Sequence, residues 1–184
     1  MATVEIENPK IITFSFRQEK GDPDYGTCLW ARYNFDTENY TMSIESDCGN
    51  YMYGWVRTPE TESFLHLMAR CSGGYVLDKI ASQCVIDEDA TYQSLTDYLS
   101  FCDECSDECL SLTERLRTAC GNYSDDRGVA EEIMDVCEDY GIACDAYEIW
   151  QCIAHDYPAR AKKIVQIFEQ YIRPAIREME KDHE

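Results

Sequence analysis

The clearest deficit in this 184-residue sequence is of basic side chains. Only 16 Lys and Arg stand against 36 Asp and Glu, which gives a formal net charge of −20. Proteins bind nucleic acid through Lys and Arg contacts to phosphates, and anionic membrane surfaces also attract basic segments. The deficit therefore argues against direct nucleic-acid or membrane binding and predicts a basic partner.

Long apolar runs are also missing. No stretch approaches the roughly 18 apolar residues of a membrane span, and the start, MATVEIENPK, has neither a basic region nor an apolar region of the kind found in signal peptides. The 11 cysteines are about 6% of the residues, below the roughly 8–10% that is typical of disulfide scaffolds, and their odd number favours free thiols. We therefore expect a cytoplasmic protein in a reducing environment.

Catalytic motifs are scarce. The three histidines form no HxxxH or HxH pair, and we find no Gly-rich phosphate loop, GxSxG, HExxH or EF-hand pattern. Acidic pairs such as Asp87/Asp89 or Asp125/Asp126 are the sequence's candidates for a Mg²⁺ site of a nuclease, but adjacent acids are common in loops. We expect no cofactor, no metal and no enzymatic activity.

What the sequence does contain is enough apolar material for a core, since 45% of its residues are hydrophobic and 12% aromatic. The first third alternates β-branched and aromatic residues with turn residues, which predicts strands at 5–16, 28–35, 40–46 and 51–56. The clearest hairpin turn is at residues 47–50, where Gly49 can adopt a positive φ. Such short connections predict an antiparallel meander.

After Pro59 the apolar period changes to about 3.6, which is typical of helices. We predict two short helices broken at residues 72–74, a long helix over 91–120, one over 129–140 ended by Gly141, and further helices at 145–155 and 158–180. Pro174 should kink or end the last helix. The predicted fold class is α+β, with a strand-rich region 1–85 and an acidic helical region 86–184 in one compact unit.

The acidity is regional, because residues 86–158 hold 19 acidic and 3 basic side chains, or −16 of the total charge. The predicted helices there place carboxylates off their apolar stripes, and several like charges lie three or four residues apart, at a cost of about 0.2–0.5 kcal/mol per pair. The candidate partner-binding residues are acidic and lie on or between these helices: Asp103, Glu104, Asp107, Glu108, Glu114, Asp125, Asp126, Glu131, Glu132, Asp135, Glu138 and Asp139.

Three interpretations of this acidity stay open: a surface kept for solubility, a nucleic-acid mimic that docks to a basic partner, and an acidic metal site. Carboxylates on neighbouring helix turns are about 5–6 Å apart, of the same order as phosphates along a strand, which is the physical basis of mimicry. The run Cys102-x-x-Cys105-x-x-x-Cys109 is a second candidate for metal or redox chemistry. These cysteines also continue a helical leucine stripe, which favours core packing.

The segment from residue 44 to residue 80 resembles a known sequence pattern. Residues 44–55 read IESDCGNYMYGW and are followed by ESFL at 62–65 and GYVLDKI at 74–80. This resembles a pattern in small phage and prophage proteins of Firmicutes, with Cys48 where a tyrosine is usual. Some proteins with this pattern belong to the type II anti-CRISPR inhibitors of Cas9. The resemblance implies a mobile-element origin and anti-CRISPR activity, and it identifies no catalytic residue.

These observations together predict an anti-defence protein that binds a basic nucleic-acid channel of a Cas nuclease and blocks DNA or guide engagement. The alternatives are an enzyme that acts on guide RNA or on the nuclease, and a phage-encoded regulator of a host protein.

Overall fold

The computed structural model describes residues 9–22, 24–57, 62–99 and 107–181, and for 107–110 it describes the backbone alone. Four strands come first, β1 (Ile11–Arg17), β2 (Trp30–Asp36), β3 (Thr41–Ser46) and β4 (Tyr51–Gly54), and they pair in chain order as an antiparallel meander. Helices make up most of the rest, so the predicted α+β class is confirmed. Residues 5–8 of the predicted first strand lie outside the described residues.

The sheet forms because its strands alternate between a buried and an exposed face. Tyr33 pairs with Ile44, and both side chains are buried. Their neighbours Arg32 and Glu45 are also paired, but they point to the opposite face and are exposed. The predicted turn at 47–50 joins β3 to β4, and Gly49 has φ +118°.

Two short helices follow, α1 (Phe64–Arg70) and α2 (Gly73–Ile80), as predicted. Each begins at a serine whose hydroxyl accepts a backbone N–H of the first turn: Ser63 accepts from His66, and Ser72 accepts from Tyr75. These side-chain caps satisfy donors that a helix N-terminus leaves unpaired, which explains why the chain breaks into two helices here.

The C-terminal helix consists of α7 (Ala159–Ile167), a π-helical segment (Phe168–Ile172) and α8 (Arg173–Lys181). Pro174 has no N–H, and in an α-helix its ring would crowd the Gln170 carbonyl. A π turn widens the helix at that carbonyl. Pro174 therefore disturbs the helix, as predicted, but does not end it.

Four helices and a short ladder form the acidic segment: α3 (Glu88–Leu99), α4 (Asp107–Asn122), α5 (Asp126–Asp139), α6 (Ala146–Cys152), β5 (Val85–Ile86) and β6 (His155–Asp156). β5 and β6 pair antiparallel, so the two ends of the segment meet. In the described part of the chain, every helix is too short or too polar to cross a membrane.

The prediction of one continuous helix over residues 91–120 is wrong. The Arg117 guanidinium lies 3.6 Å from Asp89 and 4.8 Å from the centroid of the Tyr92 ring, whereas residues 89 and 117 of one helix would be about 42 Å apart. α3 and α4 instead pack side by side, and Leu95 and Leu116 share one core. The apolar period was misleading because both helices turn their stripes toward that same core.

The chain divides into two compact units. The sheet unit comprises Met1–Ser82 and Pro158–Glu184, and the acidic unit comprises Gln83–Tyr157. Each unit has its own apolar core. Residues 158–184 belong to the sheet unit because α7 and α8 bury apolar side chains, including Ile164 and Ile176, in the core of that unit.

Candidate partner-binding surface

The charge follows this division into units. The acidic unit contains 19 acidic and 3 basic residues, whereas the sheet unit contains 17 acidic and 13 basic residues. A net charge of −16 is thus confined to the 75 residues of one unit, 83–157, and the other unit is near balance. Any attraction of this protein to a basic partner arises chiefly from the acidic unit.

Helix α5 presents the densest part of this charge. Its buried stripe consists of Val129, Ala130, Ile133, Val136 and Cys137. Its acidic positions, Glu131, Asp135, Glu138 and Asp139, are exposed and lie on the opposite side of the helix at the 100° rotation per residue of an α-helix. The structure therefore brings these four predicted site residues together on one face.

The basic residues of the acidic unit are already engaged within it. Arg127 Nε lies 2.6 Å from Glu131 Oε1, Arg115 lies 2.8 Å from Asp139, and Arg117 lies 3.6 Å from Asp89. The hydrogen bonds to Glu131 and Asp139 raise the pKa of Arg127 and Arg115.

In the described part of the chain, three carboxylates of the predicted set have neither an ion pair nor a side-chain hydrogen bond. Among the residues that the structure describes, Glu114, Asp135 and Glu138 are exposed and have no basic partner. They are the side chains of the predicted set that are free to meet an external cation.

Other predicted site residues have internal roles. The carboxylate of Asp125 accepts the Gly128 N–H at 3.0 Å and caps α5. Asp126 lies 2.8 Å from His155 Nε2, and Glu132 accepts a hydrogen bond from the Tyr123 hydroxyl at 3.1 Å. These contacts cap α5 and link it to Tyr123 and to His155 of β6. The acidic sequence pattern alone did not indicate these roles.

Four members of the predicted set are placed only in part or not at all. Asp103 and Glu104 lie outside the described residues, as do Cys102 and Cys105 of the cysteine run. Asp107 and Glu108 form the first turn of α4 by their backbone, and their side chains are not described, nor is that of Cys109.

A cavity of about 430 Å³ opens beside the C-terminal turn of α5. Its lining joins apolar groups to two of the free carboxylates: Met134, Asp135, Glu138, Gly141, Ile142, Ala143 and Cys144. Gly141, in the left-handed conformation at φ +66°, turns the chain back so that the Ile142 N–H reaches the Cys137 carbonyl at 2.8 Å. The sequence indicated that Gly141 ends the helix, but it did not indicate the cavity that forms where the chain turns back.

A second group was missed in the sheet unit, where Cys28, Asp47 and Cys48 meet. Cys48 lies in the predicted hairpin turn, where a side chain could be exposed, but its side chain is only 4% exposed. The Cys48 thiol turns inward and donates to the Thr27 carbonyl at 3.0 Å, beside the fully buried Cys28. Only the pairing of β2 with β3, which lies beyond local sequence pattern, brings these residues together.

The residues of the sequence pattern at 44–80 also converge in the sheet unit. The Trp55 ring packs on Phe64, with centroids 5.4 Å apart, and its Nε1 donates to the Tyr75 hydroxyl at 3.0 Å. The Lys79 ammonium lies 5.4 Å from the centroid of Tyr75. The pattern thus describes the packing of the segment after β4 on α1 and α2.

Comparison with known proteins gives one family. No curated protein and no solved structure matches the chain. The model of a family described as a phage family, Phage_phiTE_072, matches residues 5–178, which include nearly all of both units. The chain belongs to this phage family.

Proposed function

We propose that this phage-family protein is an anti-defence inhibitor whose acidic unit occupies a basic nucleic-acid-binding surface of a host nuclease. The leading target is a Cas nuclease, and inhibition is by occupancy that blocks DNA or guide engagement, without catalysis. The observation that carries the proposal is the confinement of 19 acidic and 3 basic residues to one unit whose arginines are internally paired.

A solubility role explains this distribution less well. Solubility is served by mixed charges spread over the whole surface, and the sheet unit, with 17 acidic and 13 basic residues, has such a mixture. The acidic unit instead concentrates like charges on α5, where Asp135 lies four residues from both Glu131 and Asp139. Neighbours of this kind repel each other, and a basic partner relieves that repulsion.

The physical match is between carboxylates on successive helix turns, about 5–6 Å apart, and the phosphates that a basic channel evolved to bind. The long-range field of the unit raises the rate of encounter with such a channel, and the effect weakens as salt shortens the screening length. Affinity then depends on contacts that exclude water.

The cavity beside α5 supplies such a contact. Its apolar lining fits the aliphatic stem of a Lys or Arg side chain, and Asp135 and Glu138 stand where the cationic end would lie. The C-terminal end of a helix carries a partial negative charge, and the last turn of α5 has no basic residue. The partner's anchoring residue is therefore a Lys or Arg in this proposal.

The test reverses the free carboxylates. The variant Glu114→Lys/Asp135→Lys/Glu138→Lys should bind a Cas9-type nuclease of the host at least about tenfold more weakly at low salt, because three attractions become repulsions. Its affinity should also depend less steeply on salt. Titration of nuclease with inhibitor at several salt concentrations measures both quantities.

The matched control reverses three exposed carboxylates of the sheet unit, Glu19→Lys/Glu38→Lys/Glu178→Lys. It changes the net charge equally, so weakening of both variants by the same factor would mean that only total charge matters. Unchanged binding and inhibition by the acidic-unit variant would refute the proposal. Inhibition by far less than one inhibitor per nuclease would refute the occupancy mechanism.

A further inference from the structure

Two buried thiols and a carboxylate meet where the chain enters β2 and where the turn after β3 begins. Cys28, Asp47 and Cys48 each offer one ligand atom, and the three atoms all lie within 4.8 Å of one another. Cys28 is fully buried and Cys48 is 4% exposed, while Asp47 reaches solvent. We propose that these three residues form a binding site for a zinc-type divalent cation, with its fourth position open on the Asp47 side.

The distances fit tetrahedral zinc. Zinc binds thiolate at about 2.3 Å and carboxylate oxygen at about 2.0 Å, so a tetrahedral site places two sulfurs about 3.8 Å apart and a sulfur and an oxygen about 3.5 Å apart. Cys28 Sγ lies 3.3 Å from Asp47 Oδ1. Since no pair of ligand atoms exceeds 4.8 Å, small side-chain rotations bring all three into coordination range.

The carboxylate is held in place by the backbone. Asp47 Oδ2 accepts the Leu29 N–H at 2.9 Å, and Oδ1 accepts the Trp30 N–H at 3.4 Å. Desolvation acts against ionisation, but these hydrogen bonds hold the pKa of Asp47 below its ordinary value. Fixed, charged ligands with hydrogen-bonded outer partners are the arrangement that metal sites use.

The two thiols determine which metal ions the site prefers. Two sulfur ligands favour zinc-type ions over Mg²⁺ or Ca²⁺, which take oxygen ligands. Burial and the hydrogen bonds with Cys48 and Asp47 raise the pKa of Cys28, and the Cys48 thiol donates a hydrogen bond to the Thr27 carbonyl. When a cation binds, each S–H bond breaks with its electron pair left on sulfur, so one bound ion releases two protons and needs no oxidant.

The experiment uses the full-length, fully reduced protein in a background with Cys102, Cys105 and Cys109 changed to Ser, because that run is the other candidate for metal binding. Zn²⁺ is titrated in competition with a chromophoric chelator, and Co²⁺ serves as a spectroscopic probe. One equivalent of either ion should bind, with a thiolate-to-cobalt charge-transfer band and the release of about two protons.

Two variants test the ligands in the same background. Cys48→Ser and Asp47→Asn should each weaken Zn²⁺ binding at least about tenfold, the effect that even outer-shell changes produce. The control is Cys84→Ser, which removes an exposed thiol of the acidic unit and should leave binding unchanged. Circular dichroism establishes that each variant is folded.

This cation site lies in the sheet unit, so it does not depend on the proposed function of the acidic unit. If the protein with Cys102, Cys105 and Cys109 changed to Ser does not bind one equivalent of Zn²⁺, the proposal is overturned. Any zinc bound by the wild type would then belong to the 102–109 run. Equal binding by folded Cys48→Ser and its parent would overturn the proposal as well.

Discussion

Cys120 is fully buried in the core of the acidic unit. Burial, reinforced by the charge of Glu88, raises the pKa of its thiol from 9.0 to about 11. In the unfolded chain the thiol ionises at its ordinary value, so deprotonation above pH 9 favours the unfolded state. This thiol's contribution to stability is complete below pH 9 and is lost as pH rises toward 11.

Cys120→Ala should therefore reduce the loss of unfolding free energy between pH 9 and 11, although it lowers stability somewhat at pH 7 by removing a buried sulfur. Urea unfolding followed by circular dichroism across that pH range measures both effects. Cys84→Ala, at an exposed position, is the matched control and should leave the pH dependence as it is. Identical pH dependence in Cys120→Ala and wild type would contradict the assignment.

Cysteine burial shows how far single residues could be predicted. Cys137, Cys144 and Cys152 lie at or near apolar positions of the helical period; Cys137 and Cys152 are buried, whereas Cys144 is only partly buried. Cys48 lies in a turn, where local pattern favours exposure, yet the pairing of β2 with β3 encloses it. Burial in a periodic element follows from the sequence, whereas burial in a turn depends on which distant segment covers it.

Among the elements, the hairpin between β3 and β4 was predicted correctly because its turn chemistry is local. Gly49 adopts φ +118°, and an added Cβ would lie 3.1 Å from the Tyr51 hydroxyl oxygen. Gly49→Ala should destabilise the sheet unit by about 1–3 kcal/mol, the cost of holding a side chain in such a backbone conformation. Thermal unfolding measures the loss.

The matched control is Gly74→Ala. Gly74 lies in α2 without a positive φ, and apart from its chain neighbours and the local helix backbone no atom lies within 4 Å of the position of an added Cβ. Alanine there should be neutral or stabilise by up to about 1 kcal/mol. Equal destabilisation by the two substitutions would mean that the conformation of Gly49 does not matter.

The separation of helices α3 and α4 could not be predicted from the sequence. A single apolar stripe runs through both helices, so the outward position of Glu114 was predictable while the chain reversal was not. Reversal is favoured by a tertiary gain, the shared burial of Leu95 and Leu116, which a helical period does not encode. The cavity beside α5 was missed for the same reason.

For the whole molecule, the sequence located the charge but not the insertion. The sheet unit is assembled from segments far apart in the chain, as in the hydrogen bond of 2.7 Å from the buried Tyr33 hydroxyl to the Ile164 carbonyl. In the sequence, the acidic unit is inserted between these segments, and its own two ends are joined where the Cys84 N–H donates to the Asp156 carbonyl at 3.1 Å. Pairing over such separations has no local signature.

The acidic unit has its own apolar core, and the pairing of β5 with β6 joins its two ends. Residues 83–157, produced alone, should fold into a helical protein that unfolds cooperatively, because β5 and β6 close it and its apolar core is internal. Its net charge of −16 makes repulsion a large cost, so raising the salt concentration from about 0.01 to 0.5 M should stabilise it by screening. Urea unfolding at the two salt concentrations measures the gain.

The complementary control is the sheet unit with residues 83–157 replaced by a short Gly/Ser linker from Ser82 to Pro158. With 17 acidic and 13 basic residues it has much less repulsion to screen, so its stability should respond little to salt. If the isolated acidic unit were unfolded at both salt concentrations, its core would need the rest of the chain. If the isolated acidic unit folds and competes with the full-length protein for the nuclease, residues 83–157 are sufficient for both folding and binding.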